Sequence, residues 1–453
     1  MIYDLLNVLN NHSPLIYLTQ SLWRDEAFSV LLSQNSVGQV VKLTAQDFNP
    51  PLYYLILHFW MKIFGTSEIA VRMPSFIFHL LLIYVSYLFA KNVFKFSKLT
   101  TYYLLFTIFL NPMLIYFSFE ARMYSLLAFL AAASMYFFFT KQWKLYVLFS
   151  ALGLWTQPFM LFVIISQIFY FALQDSRGYT EGELKQEKRE TRIYFLVSLI
   201  FIFLLFSPWL PVILLQLTRS GKMWMWPIDW TTLTTVLGNV FTGYEGTPWE
   251  IWNVMRLISL FILLSSFLVF WSGKKSKNRD LSNFSNLLMV WLYLPIIFVL
   301  IISYFKPIYV NRYIIFCSVA EVFIIVLAIN LIKNKLIRLI LYTLYFILII
   351  GFNIWFPPLH PKLNFRQALA EVNQLTKPND LIVSQTPLTF FETSYYASSS
   401  KKVFLYNPDH ITIPAYVGAN LMPPSKMIYN FPKYPNRAFL IHDDASFEVI
   451  YQK

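Results

Sequence analysis

Two adjacent carboxylates, Asp25 and Glu26, follow Arg24 in the stretch Trp23-Arg24-Asp25-Glu26-Ala27, and a third, Asp47, stands just ahead of Asn49-Pro50-Pro51-Leu52-Tyr53-Tyr54. Carboxylates and an arginine set between apolar spans are costly unless they do chemistry or bind something charged. Further along, Glu120, Arg122, Lys222 and Arg312 with Tyr313 fall near the ends of apolar runs, and Trp224, Trp226, Trp230 and Trp249 lie among them. A carboxylate can take the proton of a hydroxyl. Arginines can hold a phosphate by paired hydrogen bonds. Aromatic faces can stack on a sugar or line a slot for an isoprenoid tail. Transfer of a sugar from a lipid phosphate to a hydroxyl needs all three at one membrane surface. The leaving group is a weakly basic phosphate, so a base for the acceptor and cations for the departing charge suffice.

The elements that must position these residues are membrane helices. The chain has 453 residues, 57% hydrophobic and 13% charged, with a mean hydropathy of +0.54. Soluble domains sit near a quarter charged, which argues against a soluble globular protein. The net charge of +13 does not indicate nucleic acid, because the basic residues cluster between apolar runs as membrane topology places them. Cys317 is the only cysteine, so neither a disulfide framework nor a thiolate metal site is expected. No glycine-rich nucleotide loop occurs.

Apolar spans are expected near 68–90, 99–118, 121–140, 145–156, 158–173, 193–213, 251–271, 286–304, 312–331 and 336–356, giving roughly ten or eleven membrane helices. The short pair separated by Gln157-Pro158 reads either as two half-length helices or as one kinked helix. Residues 1–20 read as a degraded or truncated first span, or as a segment along the interface. Alternate connections carry Lys91/Lys95/Lys98, Lys141/Lys144, Lys185/Lys188/Arg189/Arg192, Lys274/Lys275/Lys277/Arg279 and Lys333/Lys335/Arg338, which the positive-inside rule makes cytoplasmic. The connections 21–67, 119–121, 214–250 and 305–311 and the tail are then external. The expected division is a membrane part, 1–356, with a catalytic first external loop at 21–67, and a small extracytoplasmic α/β domain, 357–453. In that tail LNFRQALAEVNQLT reads as an amphipathic helix stopped by Lys377-Pro378-Asn379-Asp380, and LIVS, KVFLY, AFLIH and FEVIY read as short strands. With no cysteine to staple it, the tail is expected to lean on the membrane part.

Four stretches in order then carry a resemblance: Trp23–Ala27; DFNPPLYYLILHFWMKIFG with the following SEIAVRMPS; FEARMYSLLAF at 119–129; and YVNRYIIF at 309–316. Together they are similar to the GT-C membrane glycosyltransferases, within them to the dolichyl-phosphate-mannose protein mannosyltransferase and aminoarabinose transferase type. The resemblance spans roughly residues 20–335. It implies a polyprenyl-phosphate sugar donor, the Asp-Glu pair at the active site in the first external loop, and single displacement with inversion. One of Asp25 and Glu26 is then the base, and the other orients it or holds a divalent metal ion, if one takes part. That family usually has His where this chain has Asn49.

The residues expected at the substrate are Arg24, Asp47, Asn49, Tyr54, Glu120, Arg122, Arg312 and Tyr313, with Asp25 and Glu26 catalytic. Each also has a structural reading. Asp25 and Glu26 can serve a helix N-terminus; Asp47 can shape a turn; Glu120 and Arg122 can anchor a span at the interface. Arg72 can pair with Glu68 at i, i+4, Glu321 can hydrogen-bond a neighbouring helix, and the tryptophans can form an interfacial belt, with Met223 and Met225 as membrane-facing filler. The expected protein is a multi-pass plasma-membrane glycosyltransferase that gives a sugar to a lipid, glycan or protein hydroxyl. The alternatives are a lipid-linked sugar flippase, which would place charge at mid-membrane, and a non-catalytic envelope-assembly subunit.

Overall fold

A computed structural model describes residues 11–175, 182–219, 225–246, 248–276 and 279–452. Residues 1–10, Lys222, Met223 and Trp224 lie outside them. Every expected span coincides with a helix or a helix pair. Five are long and apolar enough to cross a membrane: Glu68–Val93, Arg189–Gln216, Trp249–Lys275, Arg279–Phe305 and Lys335–Leu359. A sixth forms if Lys98–Leu110 and Pro112–Ser118 count as one span bent by 55°. The bend sits where Pro112 opens the second helix and the Asn111 side chain accepts from the Leu114 N–H.

The other four expected spans are shorter. Tyr124–Phe139 has 16 residues, Trp143–Thr156 has 14, Met160–Asp175 has 16 and Phe316–Asn330 has 15. Fifteen residues rise only ~22 Å, less than the ~30 Å of a hydrocarbon core. The Tyr124–Phe139 and Phe316–Asn330 helices are buried along almost their whole length. Irregular backbone at membrane depth is tolerated where protein covers it or where it lines a water-filled recess. Where these helices stop, the polar residues begin: Arg122 ahead of Tyr124, Gln157 after Thr156, Arg312 ahead of Phe316. The Gln157-Pro158 break separates two helices, joined through an extended Gln157 (φ −161°, ψ 130°), and Met160 packs over Gly153. The perimeter helices present apolar side chains outward, as with Leu257, Leu264, Phe267, Leu344 and Leu348, the surface expected against lipid.

The segment 21–67 folds into three helices at the recessed end of the bundle, Arg24–Ser33, Val37–Gln46 and Leu52–Phe64. Ser36 and Gln39 form a capping box at the second. Gly65, at φ 79°, ends the third. The tail carries the expected helix, Phe365–Leu375, and a mixed sheet of β1 (Leu381–Ser384), β2 (Val403–Tyr406), β3 (Met427–Ile428), β4 (Ala438–Ile441) and β5 (Phe447–Ile450), in the order β3-β2-β1-β4-β5. β1 is parallel to β2 and β4, and β5 is antiparallel to β4. The helix Phe390–Tyr396, not foreseen from sequence, docks on Arg24–Ser33 with Phe391 edge-on to Phe28 at 5.2 Å. Tyr396 accepts from the Leu22 N–H, Tyr395 donates to the Thr66 carbonyl, and Asn420 donates to the Leu43 carbonyl. The tail leans on the membrane part, as its lack of staples implied.

Two expectations are corrected. Glu321 is fully buried, but neither carboxyl oxygen has a hydrogen-bond partner among the described residues. The tyrosines of neighbouring segments whose hydroxyls feel its charge, Tyr293, Tyr309 and Tyr345, stop short of a hydrogen bond to it. Met225 does not face lipid; it lines the recess described next, in irregular backbone just ahead of the Trp230–Thr242 helix.

Candidate active site

Asp25 and Glu26 occupy the first turn of the Arg24–Ser33 helix and diverge from there. Glu26 turns inward and is fully buried. Arg72 grips it with two bonds, Nε to Oε1 at 2.8 Å and Nη2 to Oε2 at 2.7 Å. Lys362 adds Nζ to Oε2 at 2.9 Å, and the Ala121 N–H donates to Oε1 at 3.0 Å. Burial opposes the charge, yet Arg72 and Lys362 hold this carboxyl well below the usual range. Arg72 also donates to the carbonyls of Leu18, Gln20 and Ser21. It therefore does not pair with Glu68, which instead takes Arg366 and the Tyr396 hydroxyl from the tail. This knot ties four chain segments together beneath the first loop.

Asp25 turns the other way and lines a recess of about 240 Å³. Arg24, Asp47, Asn49, Arg122, Arg312 and Tyr313 line it as well. Arg24 Nε reaches Asp25 Oδ1 at 3.2 Å and Arg122 Nη2 reaches Oδ2 at 3.4 Å. Burial alone would raise Asp25, but Arg122, Arg24 and Arg312 outweigh it and hold the carboxyl at about 2. Asp47 ends the Val37–Gln46 helix, and its carbonyl accepts from Gln216 at 2.6 Å. Burial pushes its carboxyl up to about 6, against Arg122 and hydrogen bonds from the Phe48 N–H and the Asn49 side chain. One recess thus holds a carboxyl that its arginines keep low and another that burial raises to about 6.

The arginines are joined through Tyr124, whose hydroxyl accepts from Arg122 Nη2 at 3.1 Å and from Arg312 Nε at 3.1 Å. Glu245 holds the far side of Arg312, accepting from Nη1 at 2.6 Å on both oxygens. Arg122 keeps its Nε buried without a partner. Phe48, Phe159, Ile308, Tyr313 and Met225 give the recess an apolar wall. The tail closes one side with Phe391, Tyr416, Val417 and Gly418.

Of the residues expected at the substrate, Tyr54 lies behind this wall, edge-on to Phe28 at 6.5 Å with its hydroxyl buried and unpartnered. Glu120 is buried on the other side, bonded by the Trp23 indole N–H. Neither it nor Arg122 anchors a span at the interface. Trp226, Trp230 and Trp249 are exposed and line neither this recess nor the cavity beyond Glu120. Asp25 and Glu26 each face two cations already, and Glu26 does not reach the recess, so the pair is a poor place for a divalent ion. Among the described residues no three His, Cys, Asp or Glu side chains cluster as metal ligands do. Sequence reasoning missed Tyr124, Gln157, Phe159, Glu245 and Lys362. Tyr124 and Glu245 had a signal in lying beside Arg122 and in a connection already read as external; Lys362 had none.

Residues 49–212 match the family model of dolichyl-phosphate-mannose-protein mannosyltransferase. No curated protein matches the chain. Among solved structures, ArnT from Cupriavidus metallidurans in the apo state is similar at TM-score 0.60 and 11% identity, over 97% of this chain and 92% of that one. The chain has the GT-C fold. ArnT bound to undecaprenyl phosphate is similar at TM-score 0.56 and 10% identity, over the same shares of 97% and 92%. In this GT-C fold the recess lies where the first loop, the short central helices and the tail meet, and the Arg72 and Arg122 segments both fall inside the matched residues.

Proposed function

We propose that the chain is a membrane glycosyltransferase that moves a sugar from a polyprenyl phosphate to a hydroxyl acceptor on the outer face. The observation that carries this is the pairing of Asp25 and Asp47 with Arg24, Arg122 and Arg312 around one recess with an apolar, aromatic wall. The isoprenoid tail lies along that wall, and the phosphate takes Arg122, with its unpartnered Nε, and Arg312. Asp25 is the base. In the free enzyme its arginines make it a poor one. A phosphate drawing Arg122 and Arg312 to itself frees Asp25 and raises its basicity while the donor is bound.

The acceptor O–H then gives its proton to Asp25. The acceptor oxygen attacks C1, the C1–O bond to phosphate breaks, and the electron pair leaves on phosphate oxygen beside the arginines. One displacement inverts the anomeric centre. Glu26 is a positioning residue that fixes the helix bearing Asp25. The ArnT structure bound to undecaprenyl phosphate supports a polyprenyl donor, and the lysine-rich connections at the opposite end of the bundle support an outward-facing recess. The tail, 357–453, acts as a dependent domain that completes the site.

The test is transfer by purified protein in nanodiscs, with radiolabelled polyprenyl-phosphate sugars as donors and membrane extract as acceptor. Asp25→Asn is expected to lose transfer by ~100-fold or more while still binding undecaprenyl phosphate. Transfer that survives both Asp25→Asn and Asp47→Asn would remove the base from this recess. Lipid-linked sugar crossing the bilayer without being consumed would replace the enzyme with a flippase.

A further inference from the structure

Gln157 lines the recess and has no part in the transfer steps above. It stands where the Trp143–Thr156 helix ends and the Met160–Asp175 helix is about to begin. Pro158 follows it, and a residue before proline is held in extended backbone, as its φ of −161° and ψ of 130° show. Its N–H donates to the Gly153 carbonyl at 3.0 Å, and its own carbonyl accepts from the Met160 N–H at 3.1 Å. The side chain is fixed as well, because Oε1 accepts from the Phe159 N–H at 2.6 Å. A backbone N–H can only donate, so the atom it meets is the amide oxygen, and the amide nitrogen takes the other side.

Gln157 is 3% exposed. Its Nε2 has no hydrogen-bond partner among the described residues, yet it is not one of the unpartnered atoms sealed from solvent. It therefore opens into the recess that the side chain lines. An amide nitrogen carries two N–H donors, and facing hydrocarbon they would bear the full cost of an unmade bond. The isoprenoid tail is thus the wrong neighbour for this point of the wall. Phe159, which holds Gln157, packs its ring on Tyr313 at 5.1 Å, and the Arg312 guanidinium lies over the Tyr313 ring at 5.9 Å. Gln157 accordingly stands one aromatic pair away from an arginine assigned to the donor phosphate. The phosphate has Arg122 and Arg312. The polar group attached to it is the sugar, whose C–H faces suit the aromatic rings and whose hydroxyl edge suits a fixed amide donor.

We infer that Gln157 is the specificity residue for the donor sugar, with Nε2 donating to one sugar hydroxyl. It selects a neutral hydroxyl edge over one that presents an ammonium group at that position, where donor would meet donor. This rests on the donor reading of the recess, which puts the phosphate at Arg122 and Arg312.

The test measures binding of undecaprenyl phosphate, undecaprenyl phosphate glucose and undecaprenyl phosphate mannose to the full chain in nanodiscs, with each sugar also supplied as its monodeoxy series. Wild type is compared with Gln157→Met and Gln157→Glu. Methionine keeps the length of the side chain and removes both bonds. Glutamate keeps an oxygen for the Phe159 N–H and puts an acceptor where the free donor was. The quantity read is the ratio of Kd for a sugar-linked lipid to Kd for the bare lipid, which cancels any effect of a new charge or a shifted helix on phosphate binding. That ratio is expected to rise about tenfold in both variants for at least one of the two sugars, the equivalent of one lost hydrogen bond. One monodeoxy form of that sugar is expected to bind wild type about tenfold more weakly and to lose nothing further in either variant. An unchanged ratio overturns the proposal, because Gln157 then serves only the helix start or the phosphate, and the donor reading stands. A raised ratio that no monodeoxy sugar reproduces in wild type also overturns it. Wild-type protein that binds none of these lipids refutes the donor reading, and the assignment of Gln157 falls with it.

Discussion

At the scale of single residues, the adjacent acids Asp25 and Glu26 do different work because a helix turns neighbours about 100° apart. One faces a recess and the other a buried arginine. Sequence identified the pair and Arg122 and Arg312 correctly as polar groups gathered at one end of the helices. It could not divide the pair, because the partners that do so are remote. Arg72 lies 46 residues from Glu26 and Lys362 lies 336 away. Locally, Glu68 was the better partner for Arg72, and only the fold, which turns Glu68 up to the tail, removes it. Glu26→Gln leaves Arg72 and Lys362 as buried cations without a counter-charge, so a loss of ~3–5 kcal/mol is expected, read as a fall of several degrees in the melting midpoint in detergent. Donor binding per folded molecule should stay near wild type. Asp47 supplies the pH dependence. Its carboxyl is raised to about 6, so it is charged above that pH and neutral below. Transfer is expected to fall as pH drops through about 6, and a kcat/KM profile should lose that limb in Asp47→Asn. An unchanged limb would place the titrating group elsewhere.

At the scale of elements, the informative feature is where helices stop. Hydropathy located the spans, and the structure matches them, but hydropathy does not distinguish a full crossing from a buried helix of 14–16 residues. That depends on neighbours, which a single sequence does not display. The segment Tyr416–Gly418 is a comparable case. Gly418 has φ +87°, and a Cβ there would sit 2.7 Å from Phe391 and 2.9 Å from Phe28. Both rings line the recess. Gly418→Ala is therefore expected to lift this segment off the site, weakening undecaprenyl phosphate binding by about tenfold or more with the membrane helices intact by circular dichroism. Unaltered binding would mean that the segment is not part of the wall.

At the scale of the whole molecule, the tail is structurally continuous with the first loop. Four of its five strands and its first helix were readable from alternation and periodicity, whereas the two-residue β3 and the docking helix, Phe390–Tyr396, were not, being short. Truncation after Trp355 removes Lys362, Arg366, Phe391 and Glu392 together. The shortened chain is expected to insert in membranes but to neither bind undecaprenyl phosphate nor stay monodisperse in detergent. A well-behaved, phosphate-binding truncation would show that the tail is an accessory.

The Glu26–Lys362 contact also bears on biosynthesis. A ribosome makes Glu26 early and Lys362 late, after all the long spans, and at bacterial or eukaryotic rates of ~5–20 residues per second a 336-residue separation corresponds to roughly 17–67 seconds. During that interval Glu26 has Arg72 but not the ammonium that completes its set of partners. The nascent protein therefore cannot complete this support until the chain around Lys362 has emerged.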